Sequence, residues 1–314
     1  VDYMVEDPKT GYLVTGPSIS PENGYKLIDG DGTNYPAAMM PTIDRFIVER
    51  IYTAVIEGSK VLGIDKKFRQ RLKKDLKRMP PVTVGKDGLV KEWLMYDAER
   101  SDPSHRHSSH LVGLYPFGMI SQTKTPELFE ASKRSLAKQT SDPNWEDTEW
   151  STGNMICFNA FLKDGDKAHG WIQNLFKAFT RENLMTVSPA GIAGAPSDIF
   201  SFDATEASVA GICDMLVQSF DGYIELLPAL PSAWPTGSVK GLCAQGAFTV
   251  DLNWKDSKPV SADIRAEKAN TINLLVDYGT PFTMTVDGKT VTPKLKGDIA
   301  SIDLRPGQTL TLRY

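Results

Sequence analysis

The sequence predicts a two-part chain of mixed α + β class, helical first and all-β afterwards, changing character near Gly222. Three observations carry this reading. Before Gly222, apolar residues recur at the spacing of one helix face. After it they alternate singly, as on a strand with one buried side. Turn-forming pairs such as Asp287-Gly288 then punctuate the second part at short intervals. The expected domains are residues 1–222, carrying the chemistry, and residues 223–314, an antiparallel β-sandwich.

The first helix is expected over residues 42–63, where Ile43, Phe46, Ile47, Ile51, Ala54, Val55 and Leu62 share a face and Gly63 follows as a stop. A strongly basic helix runs from Asp65 to Arg78 and ends at Pro80-Pro81. Its charges read as a solvated face, because no aromatic residues interleave as they do in single-strand binders. Thr125-Pro126-Glu127 starts a third helix, to about Lys138, with proline in the first turn and an acid near the positive dipole end. A fourth spans 148–163 and is closed by Gly165; Asp166 is expected to cap a fifth, to about Phe179. A sixth covers 205–219. Short connections between successive helices imply antiparallel neighbours. The long loops 80–92 and 186–202 suggest work beyond connection.

In the second part, Phe248, Val250, Leu252 and Trp254 alternate with polar residues as a half-buried strand. Phe282, Met284 and Val286 lead into the Asp287-Gly288 hairpin, and Leu310, Leu312 and Tyr314 form a last strand.

Composition narrows the function. At 314 residues, with 41% hydrophobic and 24% charged, the chain has ordinary globular character. A net charge of -4 gives no electrostatic reason to expect nucleic acid or an anionic membrane as partner. No apolar run reaches the ~18 residues of a membrane span. Cys157, Cys213 and Cys243 are too scattered for a disulfide framework or zinc knuckle and read as small buried hydrophobes.

Three segments could carry chemistry. His105-Arg106-His107-Ser108-Ser109-His110 holds three of the four histidines. It could be a zinc site, a buried His/Arg network, or a site for a polar ligand held by the donor fork of Arg106. Its spacing lacks the two-His-one-turn-apart pattern of zinc enzymes, so no metal and no cofactor are expected. Ser18-Ile19-Ser20-Pro21-Glu22-Asn23 is a polar turn whose Glu22 is either a solvated loop acid or a catalytic one. In Phe202-Asp203-Ala204-Thr205-Glu206, Asp203 reads first as a helix N-cap, a place that can also face a cleft. Glycosidic cleavage needs two such acids on opposite sides of the bond. Trp93, Tyr96, Trp145 and Trp150 are candidates either for stacking on sugar rings or for the core.

Four blocks, in order, resemble glycoside hydrolase family 95, the α-L-fucosidases with some relatives acting on α-L-galactosides. They are Ser20-Pro21-Glu22-Asn23, His105 to Pro116, Trp150-Ser151, and the long run Leu226 to Leu242. The resemblance implies part of an (α/α)6 barrel followed by the β-sandwich, an inverting hydrolysis, and a fucosylated oligosaccharide or glycan as substrate. It implies Glu22 as general acid and Arg106 and His107 as groups holding the sugar. It also implies that Asp203 works with upstream asparagines to activate the attacking water.

Two departures stand out. The family stretch Gln-Ile-Asp-Gly-Asn-Phe-Gly reads Ser201-Phe202-Asp203-Ala204-Thr205-Glu206-Ala207 here, and Ser197 stands where a histidine is usual. One sugar contact is thereby lost, Ala204 limits backbone approach to a ligand, and Glu206 adds a charge. The resemblance further implies a preceding β-domain and half-barrel, with the asparagines, so this chain is expected to need that N-terminal portion. A glycan-degrading role places the protein outside the cell or in the periplasm, although Val1–Glu6 shows no basic start or apolar core of a secretion signal. Two competing readings are a non-catalytic sugar-binding module on the same scaffold, and an enzyme for another α-glycoside with Glu206 reshaping specificity.

Overall fold

In the computed structural model, which describes residues 1–276 and 282–314, the periodicity near residue 42 becomes helix α1, Thr42–Val61. Asp44 in its first turn and Lys60 in its last complement the helix dipole. The buried stripe follows the expected face at Phe46 and departs from it further along. Phe46, Tyr52 and Ile56 face inward, whereas Ile47, Ile51 and Val55 are 37%, 55% and 39% exposed. The reason is the return of α2, Lys66–Arg78, whose Leu72 packs between Tyr52 and Ile56. The expected face therefore holds at Phe46 and fails at Ile47, Ile51 and Val55. The basic residues of α2 lie at its surface, as a solvated face requires.

The chain divides into two compact units, Val1–Asp147 and Thr148–Tyr314. The first holds α1, α2 and α3, Pro126–Thr140, which buries Phe129, Ala131 and Leu136. Its short antiparallel ladder matters most for function. Tyr25–Leu27 pairs with Ala98–Arg100, with Tyr25 opposite Arg100. That register lays the turn ending in Glu22 beside the loop that begins after Arg100. Tyr25 is fixed by Tyr35, Trp93 and Tyr96, each with ring centroid 5.3 Å from its own. Trp93 is 3% exposed and is therefore core, not a platform for sugar.

The second unit begins with α4, Glu149–Phe161, started by a capping box in which Thr148 and Ser151 satisfy each other's backbone N–H. Helix α4 is buried along most of its length between α5, Gly165–Ala178, and α6, Asp203–Leu216. Small residues permit this. A Cβ on Gly211 would lie 2.6 Å from Ile156 Cγ2, and one on Gly153 3.1 Å from Ala207 Cβ.

Two boundaries differ from expectation. Lys163 takes a φ of 62°, turning the chain early, so Asp164 and not Asp166 caps α5, accepting the Lys167 N–H at 3.1 Å. Asp166 accepts instead from the Ser232 N–H and hydroxyl. Helix α6 starts at Asp203 itself, with Phe202 at the cap position, and Val217–Gln218 leaves it as a short strand pairing with Glu225–Leu226. Asp203 is thus not an N-cap.

The rest of this unit is antiparallel sheet. Its strands are β1 (Gly237–Ala244), β2 (Phe248–Lys255), β3 (Lys258–Ala266), β4 (Asn270–Leu275), β5 (Thr283–Val286), β6 (Lys289–Thr290), β7 (Lys294–Lys296), β8 (Ile299–Leu304) and β9 (Thr309–Arg313). One sheet runs β6-β5-β9-β3-β2-β1 and the other β4-β8-β7. Both contribute to one core, where Val250, Leu252 and Ile264 meet Ile272, Leu274 and Ala300. The expected alternation in β2 holds residue by residue. Asp287 and Gly288, at φ 48° and 79°, make the expected two-residue hairpin between β5 and β6.

Among the described residues no helix is long and apolar enough to cross a membrane. The three cysteines are free; Cys157 is buried as expected, but Cys213 is half-buried and Cys243 exposed.

Candidate active site

Glu22 sits at the tip of the Ser20–Asn23 turn with its side chain 55% exposed. Asn23 anchors the turn by two bonds to one residue: its Nδ2 donates to the Asp102 carbonyl at 2.6 Å, and its Oδ1 accepts the Asp102 N–H at 3.1 Å. The loop following Asp102 then brings its side chains to Glu22. Arg106 Nη2 donates to Glu22 Oε2 at 2.8 Å, while Nη1 donates to Glu146 Oε2 at 3.0 Å. The guanidinium fork thus spans two carboxylates. His105 Nε2 and His107 Nε2 lie 3.7 and 3.9 Å from the same Glu22 oxygen.

The protonation of these rings follows from their surroundings. Burial, then the Arg106 charge, holds His105 below the ordinary imidazole range. Its Nδ1 accepts the His107 N–H at 3.1 Å, so the neutral ring carries its proton on Nε2, facing Glu22. Burial outweighs the attraction of Glu22 and pushes His107 down to about 4. The arrangement presents an accessible carboxyl group, a fixed cation and two neutral imidazoles on one surface. Such a set can pass a proton to an ether oxygen and hydrogen-bond sugar hydroxyls.

His110 does not join them. It is 6% exposed and turned toward Glu92, with Nδ1 3.5 Å from Glu92 Oε2. The buried-network reading thus fits His110. Burial lowers the pKa of His110 from 6.5 to about 4, against the pull of Glu92. Because the unfolded chain takes up this proton first, His110 destabilises the fold as pH falls from 6.5 toward 4, with no further change below that. Asp214, raised by burial to about 7, has the opposite slope and loses stability as pH rises from 3.8 through 7. The contribution of His110 is therefore read as a difference. Urea midpoints of His110→Gln are expected to fall less than those of the parent chain between pH 6.5 and 4, and parallel curves would contradict a buried neutral imidazole.

The structure brings Glu22, Arg106 and His107 together; Asp203 belongs to the other unit. There Asp203 is exposed at the first position of α6 and accepts the Ser201 hydroxyl at 3.2 Å. Glu206, one turn on, is also exposed. Ala204 is fully buried in the core with Ile156 and Ala160, so its methyl group packs against α4 and does not face a ligand. That corrects the expected effect of this departure, whereas Ser197 lies in an exposed stretch of loop.

Sequence reasoning missed Glu146, Glu92, Arg100 and Gln139. The Gln139 Nε2 donates to the carbonyls of His105 and His107 at 2.7 and 3.1 Å. None carries a periodic signal: each is a single polar residue whose role comes from partners outside its own helix, strand or turn.

Residues 1–216 match the glycosyl hydrolase family 95 catalytic domain, and residues 218–312 match the family's C-terminal domain. The chain is 30% identical over 286 residues to "Alpha-L-fucosidase 2" of Arabidopsis thaliana, covering 85% of this chain and 31% of that protein. It is 29% identical over 268 residues to "Probable alpha-fucosidase A" of Aspergillus oryzae, covering 78% and 35%. Against the protein of the same name from Aspergillus niger the identity is 26% over 269 residues, covering 81% and 32%. The chain thus spans about a third of the length of these relatives. With both family domains matched in order over nearly all of its length, the chain belongs to glycoside hydrolase family 95.

Proposed function

We propose that the protein containing this chain hydrolyses terminal α-L-fucosyl or related α-L-galactosyl linkages of glycans with inversion at the anomeric carbon. The observation that carries the reading is Glu22, an exposed carboxyl group held at 2.8 Å by Arg106 with two neutral imidazoles beside it. Glu22 protonates the departing glycosidic oxygen, and Arg106 and His107 hold the sugar. Asp203, by its place in the family motif, polarises the groups that activate water. An amide is a weak base, so a charged carboxylate must assist it.

The reading includes an architecture. Helices α1–α6 form part of an (α/α)6 barrel within residues 1–222, followed by the sandwich of residues 223–314. A preceding portion completes the barrel. The exposed Ile47, Ile51 and Val55 on α1 support this, since a continuous apolar face is costly in water. The proposed setting is extracellular or periplasmic, where such glycans occur.

A second reading, a sugar-binding module without turnover, is favoured by Ser197 in place of the usual histidine. Proton NMR of α-L-fucoside hydrolysis by the full-length protein separates the two. The β-anomer of fucose is expected first. The α-anomer first would overturn inversion, and fucose binding without hydrolysis would favour the module. The segment 1–314 alone is expected to be inactive, and turnover by it would sink the need for a preceding portion.

A further inference from the structure

Behind the Glu22 turn lies a second carboxyl group that the proposed chemistry does not use. Glu92 is 6% exposed, and a buried acid is tolerated only when its oxygens are occupied. The Ser20 hydroxyl, two residues before Glu22, donates to Glu92 Oε1 at 2.6 Å and lies 2.8 Å from the Ser109 hydroxyl. On the other oxygen, Arg100 Nε stands at 3.2 Å and His110 Nδ1 at 3.5 Å.

Each arm of this hub ends on a part of the active surface. Through Ser20 it reaches the turn that carries Glu22. Through Arg100, whose Nη2 donates to the His107 carbonyl at 2.6 Å, it reaches the loop that carries His105, Arg106 and His107. The hub itself is anchored, because the Glu92 carbonyl accepts the Thr42 N–H at the start of α1 and Trp93 is buried beside Tyr25. A cavity of about 600 Å³, lined by Glu92, Arg100, His110 and Gln139 among others, borders the same group. Packing from that side therefore does not hold the carboxyl group; the Arg100 ion pair and the single Ser20 hydrogen bond do.

We propose that Glu92 is a positioning residue that sets the acid-bearing turn and the sugar-holding loop at one fixed separation. The inference rests on the reading of Glu22 as acid and of His107 as sugar ligand. Misplacement by an ångström is enough to lose much of an oriented proton transfer, so the hub has a kinetic consequence beyond stability.

The two arms can be cut separately in the full-length protein. Ser20→Ala is expected to lower kcat on fucosides with poor leaving groups about tenfold, with KM unchanged. Arg100→Lys is expected to raise KM by a similar factor, and Glu92→Gln to do both. Added to Glu22→Gln, Ser20→Ala should cost nothing further on these substrates, because the group it positions has gone. If Glu92→Gln lowers the melting temperature but leaves kcat and KM within about twofold, the proposal is overturned.

A readout without turnover keeps this separate from the role of Glu22. In the same full-length protein, the ring signals of His105 and His107 can be assigned by substituting each in turn. They are expected to move in Glu92→Gln and not in Glu99→Gln, an exposed neighbour. Unmoved rings overturn the hub even if Glu22 is the acid; moved rings with an active Glu22→Gln enzyme keep the hub and remove the acid assignment. Should Glu92→Gln not fold, Ser20→Ala and Arg100→Lys carry the test alone.

Discussion

Replacing Glu22 by Gln is expected to lower kcat by about 10²- to 10⁴-fold on fucosides whose leaving group must be protonated. On an activated substrate such as a fucosyl fluoride the loss should stay within about tenfold, because the departing group needs little proton assistance. Glutamine keeps the shape of the side chain and can still accept from Arg106 Nη2, so the turn should stay in place. What it cannot do is deliver a carboxyl proton. The pH profile of kcat/KM on the demanding substrate should accordingly lose its alkaline limb while the acidic limb survives. Equal losses on both substrates would show that Glu22 only binds. No loss on either would leave the site without its acid, and the fucosidase reading without its main support. The assay belongs in the full-length protein, where the groups that activate water are expected.

The second large effect concerns stability. Leu252→Ala should destabilise the unit Thr148–Tyr314 by about 2–5 kcal/mol, the usual cost of removing a buried leucine side chain. Leu252 is fully buried at the centre of β2, between Val239 and Ala262 on the neighbouring strands and under residues of the second sheet. Strand backbones paired on both sides cannot collapse into the space, so the cavity term should be near its upper range. The measurement is a urea titration, in which the midpoint should fall with the slope unchanged. Val260→Ala, at a residue 43% exposed in the adjacent strand, should stay within about 0.5 kcal/mol and serves as control. A Leu252→Ala midpoint equal to that of the control would mean that the two sheets do not share one packed core.

Much of this molecule was legible in its residues, for identifiable reasons. Helix and strand follow from period, and period is local. The alternation of Phe248, Val250, Leu252 and Trp254 needed no tertiary information to be read as a strand with one buried face. The Asp287-Gly288 turn was equally local, since few residue pairs adopt positive φ in succession. Glu22, Arg106 and His107 were legible in another way. They stand in motif blocks, and the antiparallel pairing of Tyr25 with Arg100 brings them together across more than 80 positions.

Other features depended on neighbours that no window contains. The buried face of α1 was decided by where α2 returns, and the α5 cap by the left-handed turn at Lys163. Ala204 looked like an obstacle to a ligand until the packing of α4 on α6 placed its methyl group in a core. Glu92, Glu146, Arg100 and Gln139 show the same limit at the site. By itself the sequence determined the family, the order of helical and β parts, and the side chains on which the acid reading rests. Only the tertiary structure decided which polar residues hold those side chains in place. The physical reason is that a hydrogen bond or ion pair is specified by distance and direction between two residues, and neither leaves a periodic mark in the chain.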